Sequence, residues 1–197
     1  MNNKTLRIAV ISLMAALSYI SFTFLQIKIP TPGGFTSFHL GNTFCVLAAL
    51  LLGGVHGGLA GAIGMGIGDM LDPIYIMHTP KTIILKLGIG IIVGLVAHNV
   101  MHITKKEEPK SIFIAALISS SCGMLFNIIF SPIVGYFYNR FIFGISVEAS
   151  SILAGWSTIT TTVNALMTVV CATLLYVVIH PKLKQVNVLS KLAPKQE

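Results

Sequence analysis

The sequence predicts an all-α integral membrane protein: a compact bundle of six transmembrane helices, cytoplasmic at both termini, forming one membrane domain over residues 1–197. Three observations predict it. Mean hydropathy is +0.86 and only 10% of residues are charged, where a soluble domain carries about 25%. The apolar residues, 54% of the chain, fall in long blocks, and blocks of about 20 span a bilayer. The net charge of +7 is concentrated in three clusters that six spans bring to one side, which the positive-inside rule makes cytoplasmic.

The first span lies near 6–25. Lys4 and Arg7 precede it as in a signal peptide, but the apolar run continues to Leu25 without a small-x-small cleavage site, so it reads as a span. The next two, near 39–53 and 54–71, are short, and Gly53-Gly54 is the break between them. Leu40 to Asp69 also admits one bent or re-entrant unit. The fourth, fifth and sixth lie near 80–102, 111–137 and 152–179, followed by a basic cytoplasmic tail, 181–197.

Cytoplasmic connections are short: GGVHGG around His56, then TKKEEPK at 104–110. The outer ones are QIKIPTPGGFTSF (26–38), DPIYIMHTP (72–80) and NRFIFGISVEAS (139–150). Their aromatic, Pro- and Gly-punctuated character fits lids over an outward cavity, or simple helix connections. A barrel is excluded, because strand-like alternation is missing and the runs are too long.

The three charge clusters are Lys4 with Arg7, then Lys105, Lys106 and Lys110, then Lys182, Lys184, Lys191 and Lys195. On the other side only Lys28, Lys81 and Arg140 are loop cations. The basic tail is a topology signal that also suits anionic lipid, not a nucleic-acid footprint.

Lys86 stands in the middle of the fourth apolar run. An ammonium in hydrocarbon costs about 3 kcal/mol even on a lenient insertion scale. It either snorkels to the helix end or lines a polar pocket. Asp69 and Asp72 close the third span, with Tyr75, His78 and Lys81 following. Asp69 and Lys86 form a structural ion pair, or each meets a ligand; the spacing leaves both open. The excess of outer cations (Lys28, Lys81, Lys86, Arg140 against Asp69, Asp72, Glu148) does not by itself require an anionic ligand.

His39, Asn42 and Thr43 open the second span, and Asn127 and Asn164 lie inside the fifth and sixth. Trp156, Thr160 and Asn164 repeat every four residues on one face. Indole, hydroxyl and amide there suit a flat ring with polar edges, or an interfacial anchor with helix-to-helix hydrogen bonds.

Small residues mark helix contacts. Ala9, Ser12 and Ala16 form a stripe for internal packing or for docking a second membrane protein. Gly54, Gly57, Gly61, Gly64 and Gly68 share one face of the third span, and Gly90-x-x-x-Gly94 matches them in the fourth.

Other chemistry has little support. Cys45, Cys122 and Cys171 lie in apolar spans at wide spacing, which favours neither a disulfide framework nor a metal site. There is no G-x-x-x-x-G-K-[ST] loop, no H-E-x-x-H and no G-x-S-x-G. No enzyme and no cofactor are expected. Uphill transport would need an ion gradient or a separate ATPase.

The runs HLGNTFCVLAALLLGGVHGGLAGAIGMGIGDML (39–71) and PKTIILKLGIGIIVGLVAH (80–98) resemble the substrate-binding S components of energy-coupling factor (ECF) transporters. The nearest group is riboflavin-type, itself similar to hydroxymethylpyrimidine and pyridoxine carriers. The resemblance extends from Lys4 to about His180 and rests on the H-L-G-N start, the glycine-rich turn, the G-D at Asp69 and the lysine of the fourth span.

The resemblance implies a bacterial cell-membrane subunit that binds a small vitamin from outside, under the first outer loop. It implies a transmembrane coupling protein and two ATPase subunits as partners, and a bundle that topples to carry the vitamin inward. Candidate substrate residues are His39, Asn42, Asp69, Tyr75, Lys86, Asn127, Trp156, Thr160 and Asn164. The family's A-x-x-x-A docking pattern has its nearest match in Ser12-x-x-x-Ala16, with Ala9 a turn earlier. The competing expectations are a self-sufficient ion-coupled transporter and a non-transporting membrane subunit.

Overall fold

The computed structural model describes residues 3–32 and 34–194; Lys195, part of the basic tail, lies outside them. Six helices form the bundle: α1 (Asn3–Thr23), α2 (Gly41–Leu52), α3 (Gly54–Leu71), α4 (Thr79–Gly94), α5 (Pro109–Phe141) and α6 (Val147–Gln185). A short α7 (Leu189–Leu192) follows. Among the described residues four stretches are long and apolar enough to cross a membrane: Asn3–Thr23, Ile76–Val100, Pro109–Phe141 and Val147–Gln185. α2 is too short, and seven glycines dilute the hydropathy of α3.

One departure from the all-α expectation is local. The first outer connection folds as an antiparallel hairpin, β1 (Gln26–Thr31) on β2 (Gly34–His39), with Gln26 opposite His39 and Thr31 opposite Gly34. Ile27, Ile29 and Thr31 on one strand and Phe35, Thr36 and Phe38 on the other are the β-branched and aromatic residues that strands favour. His39 therefore ends a strand and does not open a helix.

α2 is the core. Cys45 to Leu52 are buried on every side, as a helix apolar all round must be. At 12 residues it rises only about 18 Å, well short of a hydrocarbon core of about 30 Å. Its N-terminus therefore stops inside the bundle, and the hairpin lies above it.

A single residue reverses the chain between α2 and α3. Gly53 sits at φ +90, a region L side chains rarely adopt. His56, expected in a connecting loop, instead lies inside α3. The Ala49 carbonyl, at the end of α2, accepts from Gly53 N–H at 3.0 Å and lies 3.2 Å from His98 Nε2. His98 belongs to the π-helical turn Leu95–Val100 that continues α4, so a distant helix supports the reversal.

The glycine face of α3 serves three neighbours. A methyl at Gly57 or Gly61 would strike Ala49 or Cys45 of α2, and one at Gly64 or Gly68 would strike Ala15 or Phe22 of α1. Gly54 and Gly58 meet Gly94 and Gly90 of α4 backbone to backbone. A 3-and-4 spacing repeats every seven residues and drifts about 20° per heptad on a straight helix, so one stripe turns from partner to partner.

The outer surface is apolar, with Ile8, Leu13, Ile63, Leu125, Leu166 and Val178 all exposed. This is the inverse of a soluble protein and suits lipid contact. Both described ends of the chain lie at the end of the bundle away from the hairpin. There Arg7 donates from Nε to the Lys191 carbonyl at 3.2 Å and from its other nitrogen to the Ala193 carbonyl. Lys184 pairs with Glu107 at 2.9 Å. That bond holds the exposed Glu107 carboxyl below its usual value.

Candidate functional site

Above the N-terminus of α2 the bundle encloses a cavity of about 330 Å³, roofed by the hairpin. Its walls come from every long helix. All nine residues singled out from the sequence border it: His39, Asn42, Asp69, Tyr75, Lys86, Asn127, Trp156, Thr160 and Asn164. Their convergence has a common cause. Seven of them lie on apolar helices, where the interior is the one place that lipid does not penalise a polar group; His39 ends β2 and Tyr75 lies in the turn after α3.

Lys86 is 7% exposed and Asp69 2%. Among the described residues the ion pairs within 4.0 Å are Lys28–Asp72 and Lys184–Glu107. The Asp69–Lys86 salt bridge open from the sequence is not made, and Lys86 does not snorkel away from the bundle. Asp69 Oδ2 has no protein donor. Asn42 Oδ1, Asn127 Oδ1 and His39 Nδ1 are also buried without a partner. Buried polar atoms are usually paired, so this cluster is a set of hydrogen-bonding positions for a guest.

α6 contributes differently along its length. Trp156 is 37% exposed and borders the cavity. Thr160 Oγ1 lies 2.9 Å from Thr36 Oγ1. Asn164 accepts from His39 N at 3.1 Å and donates to the Ser37 carbonyl at 3.0 Å. An isolated hairpin is marginal in water; these three bonds tie β2 to α6. Thr160 and Asn164 thus hold the roof as well as bordering the cavity.

The other edge of the hairpin is tied by an ion pair. Lys28 Nζ lies 2.6 Å from Asp72 Oδ2 and 5.4 Å from the Tyr75 ring centroid. Asp72 also accepts from Ile74 N at 3.0 Å. Partial burial opposes its ionisation, but these donors prevail and keep the carboxyl below its ordinary value.

Several cavity residues escape sequence reasoning. Lys81 reads as a loop cation, yet it lies in the first turn of α4 and borders the cavity. Pro80 is a helix opener here, its fixed φ suiting the first turn, and that is the signal that places Lys81 on the helix. Thr36, Ser37 and Thr82 also border the cavity. Alternation in the first connection would have found the first two. The stripe Ala9, Ser12 and Ala16 lies on the exposed face of α1, while Met14, Ala15, Ser18 and Phe22 face the bundle. Internal packing is therefore not its role.

A family model described as "ECF-type riboflavin transporter, S component" matches residues 2–181. No curated protein sequence matches. A solved structure titled "Structure and mechanism of the S component of a bacterial ECF transporter" is similar at a TM-score of 0.53 and 21% identity, covering 92% of this chain and 99% of that one. At that identity the likeness is one of fold. With the family match over nearly all the chain and several membrane-crossing helices, this multi-pass membrane protein belongs to the ECF-type riboflavin transporter S component family.

Proposed function

We propose that this chain is the vitamin-capturing subunit of an ECF-type transporter in a bacterial cell membrane. It takes up a small heteroaromatic vitamin or precursor of the riboflavin, hydroxymethylpyrimidine or pyridoxine class from outside. A separate transmembrane coupling protein and two ATPase subunits then complete its delivery inward. The six-helix bundle sits in the membrane with both termini cytoplasmic, in keeping with the cations Lys4, Arg7, Lys105, Lys106, Lys182 and Lys184 at the end away from the hairpin.

The observation that carries this reading is the roofed cavity. A volume of about 330 Å³ suits a small ligand. In it, Asn42, Asn127 and Asp69 hydrogen-bond the edges of a ring, Trp156 stacks on its face and Lys86 meets an acceptor. Tyr75 and His39 close the roof side. The Ala9, Ser12 and Ala16 face of α1 supports docking of the coupling protein, because small exposed residues let a second helix approach closely in lipid.

The test is binding and uptake measured separately. The purified protein in detergent should bind one such vitamin one to one, and mass spectrometry should find it among copurifying small molecules. Uptake by cells should require the coupling protein and the ATPases. Uptake by this chain alone, driven by an ion gradient, overturns the proposal in favour of an ion-coupled transporter.

A further inference from the structure

The charged residues bordering the cavity are Lys81, Lys86 and Asp69, a formal excess of one positive charge. Among the described residues no further carboxylate borders the cavity. Asp72, the next acid in the chain, is committed to Lys28 at 2.6 Å and does not border the cavity. Glu148 is exposed in the first turn of α6 and does not border it either. Among the described residues neither Lys81 nor Lys86 has a carboxylate within 4.0 Å.

Position reinforces the imbalance. The two lysines stand five residues apart on α4, so their Cα atoms differ in depth by about 7.5 Å. Lys81 lies nearer the hairpin, close to Gly135 of α5, and Lys86 lies deeper. α4 begins at this end with no acidic residue in its first turn, and its dipole adds partial positive charge there. Unmatched ammonium groups at membrane depth are costly. An anion arriving with the ligand removes that cost, whereas a neutral ligand leaves it in place.

We propose that the ligand carries an anionic group, a carboxylate or a phosphate, held between Lys81 and Lys86. This rests on the reading of the cavity as a vitamin site; riboflavin, hydroxymethylpyrimidine and pyridoxine carry no carboxylate or phosphate themselves, so it points to their phosphorylated forms or to a related heteroaromatic acid. Lys81 is then the specificity residue that tells the charged ligand from its neutral analogue. Asp69, whose Oδ2 has no protein donor, remains the acceptor for a ligand N–H or O–H elsewhere on the ring.

Calorimetric titration of the full chain in detergent tests this with probe pairs that differ in charge. The pairs are nicotinamide and nicotinate, pyridoxine and pyridoxine 5′-phosphate, and riboflavin and its 5′-phosphate. The acidic member should bind at least tenfold tighter in one pair or more. The pair that shows it tells a carboxylate site from a phosphate site. In Lys81→Met the ratio of acidic to neutral affinity should fall to near one, and Lys81→Arg should restore it. Equal or tighter binding of the neutral members in the unmodified protein overturns the inference and leaves the vitamin reading standing. A preference that survives Lys81→Met also overturns it. Binding of no member of any pair overturns both. Should Lys81→Met fail to fold, the preference in the unmodified protein still decides.

Discussion

The two ends of this bundle answer the same chemical problem in opposite ways. At the end away from the hairpin the charged side chains are paired or reach solvent. Arg7 binds two carbonyls of the C-terminal turn, Lys184 meets Glu107, and Leu189 and Leu192 are buried beneath them. At the hairpin end, Asn42, Asn127, Asp69 and Lys86 are buried around an open volume, with acceptor atoms left unpartnered. Unpartnered buried atoms occur at both ends, Tyr176 Oη and His180 Nε2 among them. The hairpin end differs in gathering its own, together with buried charges, around a cavity of about 330 Å³, against about 110 Å³ beside His180.

The sharpest way to separate the ends is to block coupling without touching the cavity. Ser12 and Ala16 lie exposed on α1, away from the cavity lining. Ser12→Trp or Ala16→Trp should abolish uptake by cells and leave vitamin affinity in detergent unchanged, because a close helix contact cannot admit an indole. Normal uptake by both variants would remove this face from the docking assignment.

Next in size is Lys86→Met, which keeps length and removes charge. Loss of a buried charged hydrogen-bond partner costs about 1.5–3 kcal/mol, so vitamin affinity should fall roughly tenfold or more. Because Asp69 and Lys86 are not paired, replacing both residues should not restore binding. Recovery in the double variant would mean that a salt bridge forms after all.

The polar end was the more legible of the two. A charge or amide inside an apolar helix stands out in a sequence, and Lys86, Asn127 and Asn164 converge as their lipid cost requires. The roof was not legible. Pro30, Pro32 and the neighbouring glycines make residues 26–38 read as a loop and hide the strand residues Ile27, Ile29 and Phe35. Lys81 was obscured by Pro80, which signals both an ending and a beginning. Side-chain distance is a tertiary property, so spacing alone left Asp69 and Lys86 undecided. The six-helix outline was readable because hydrophobic blocks need no such detail, although α2 and α3 read as spans while being too short or too glycine-rich to qualify alone.

Asn164→Leu addresses the roof. It removes the bonds to His39 N and the Ser37 carbonyl, leaving two strand groups unpaired. A loss of about 1–3 kcal/mol is expected. It should appear as faster vitamin release and as earlier hydrogen exchange in residues 34–39, with residues 189–192 unchanged. Loosening at both ends alike would mean that Asn164 stabilises the whole bundle and not the roof.

The smallest effect compares the two surface ion pairs, one at each end. Lys28–Asp72 ties the hairpin to the turn after α3, and Lys184–Glu107 lies on the opposite surface, where Glu107 is exposed. Exposed pairs contribute about 0–1 kcal/mol, so neither Lys28→Met nor Lys184→Met should shift the unfolding midpoint much. Their consequences differ. Asp72 is held below its ordinary value by Lys28 and Ile74 N despite partial burial. The unfolded carboxylate titrates near pH 4, so the pair's contribution is complete above that and is lost only as pH falls through the lower folded value. Vitamin release should therefore be insensitive to this pair's protonation between about pH 5 and 8. Lys28→Met should speed release a few-fold throughout that window, because the hairpin edge loses its tie. Lys184→Met should leave release unchanged, since Glu107 borders no part of the cavity. Equal effects of the two substitutions would show that the hairpin edge is not what retains the ligand.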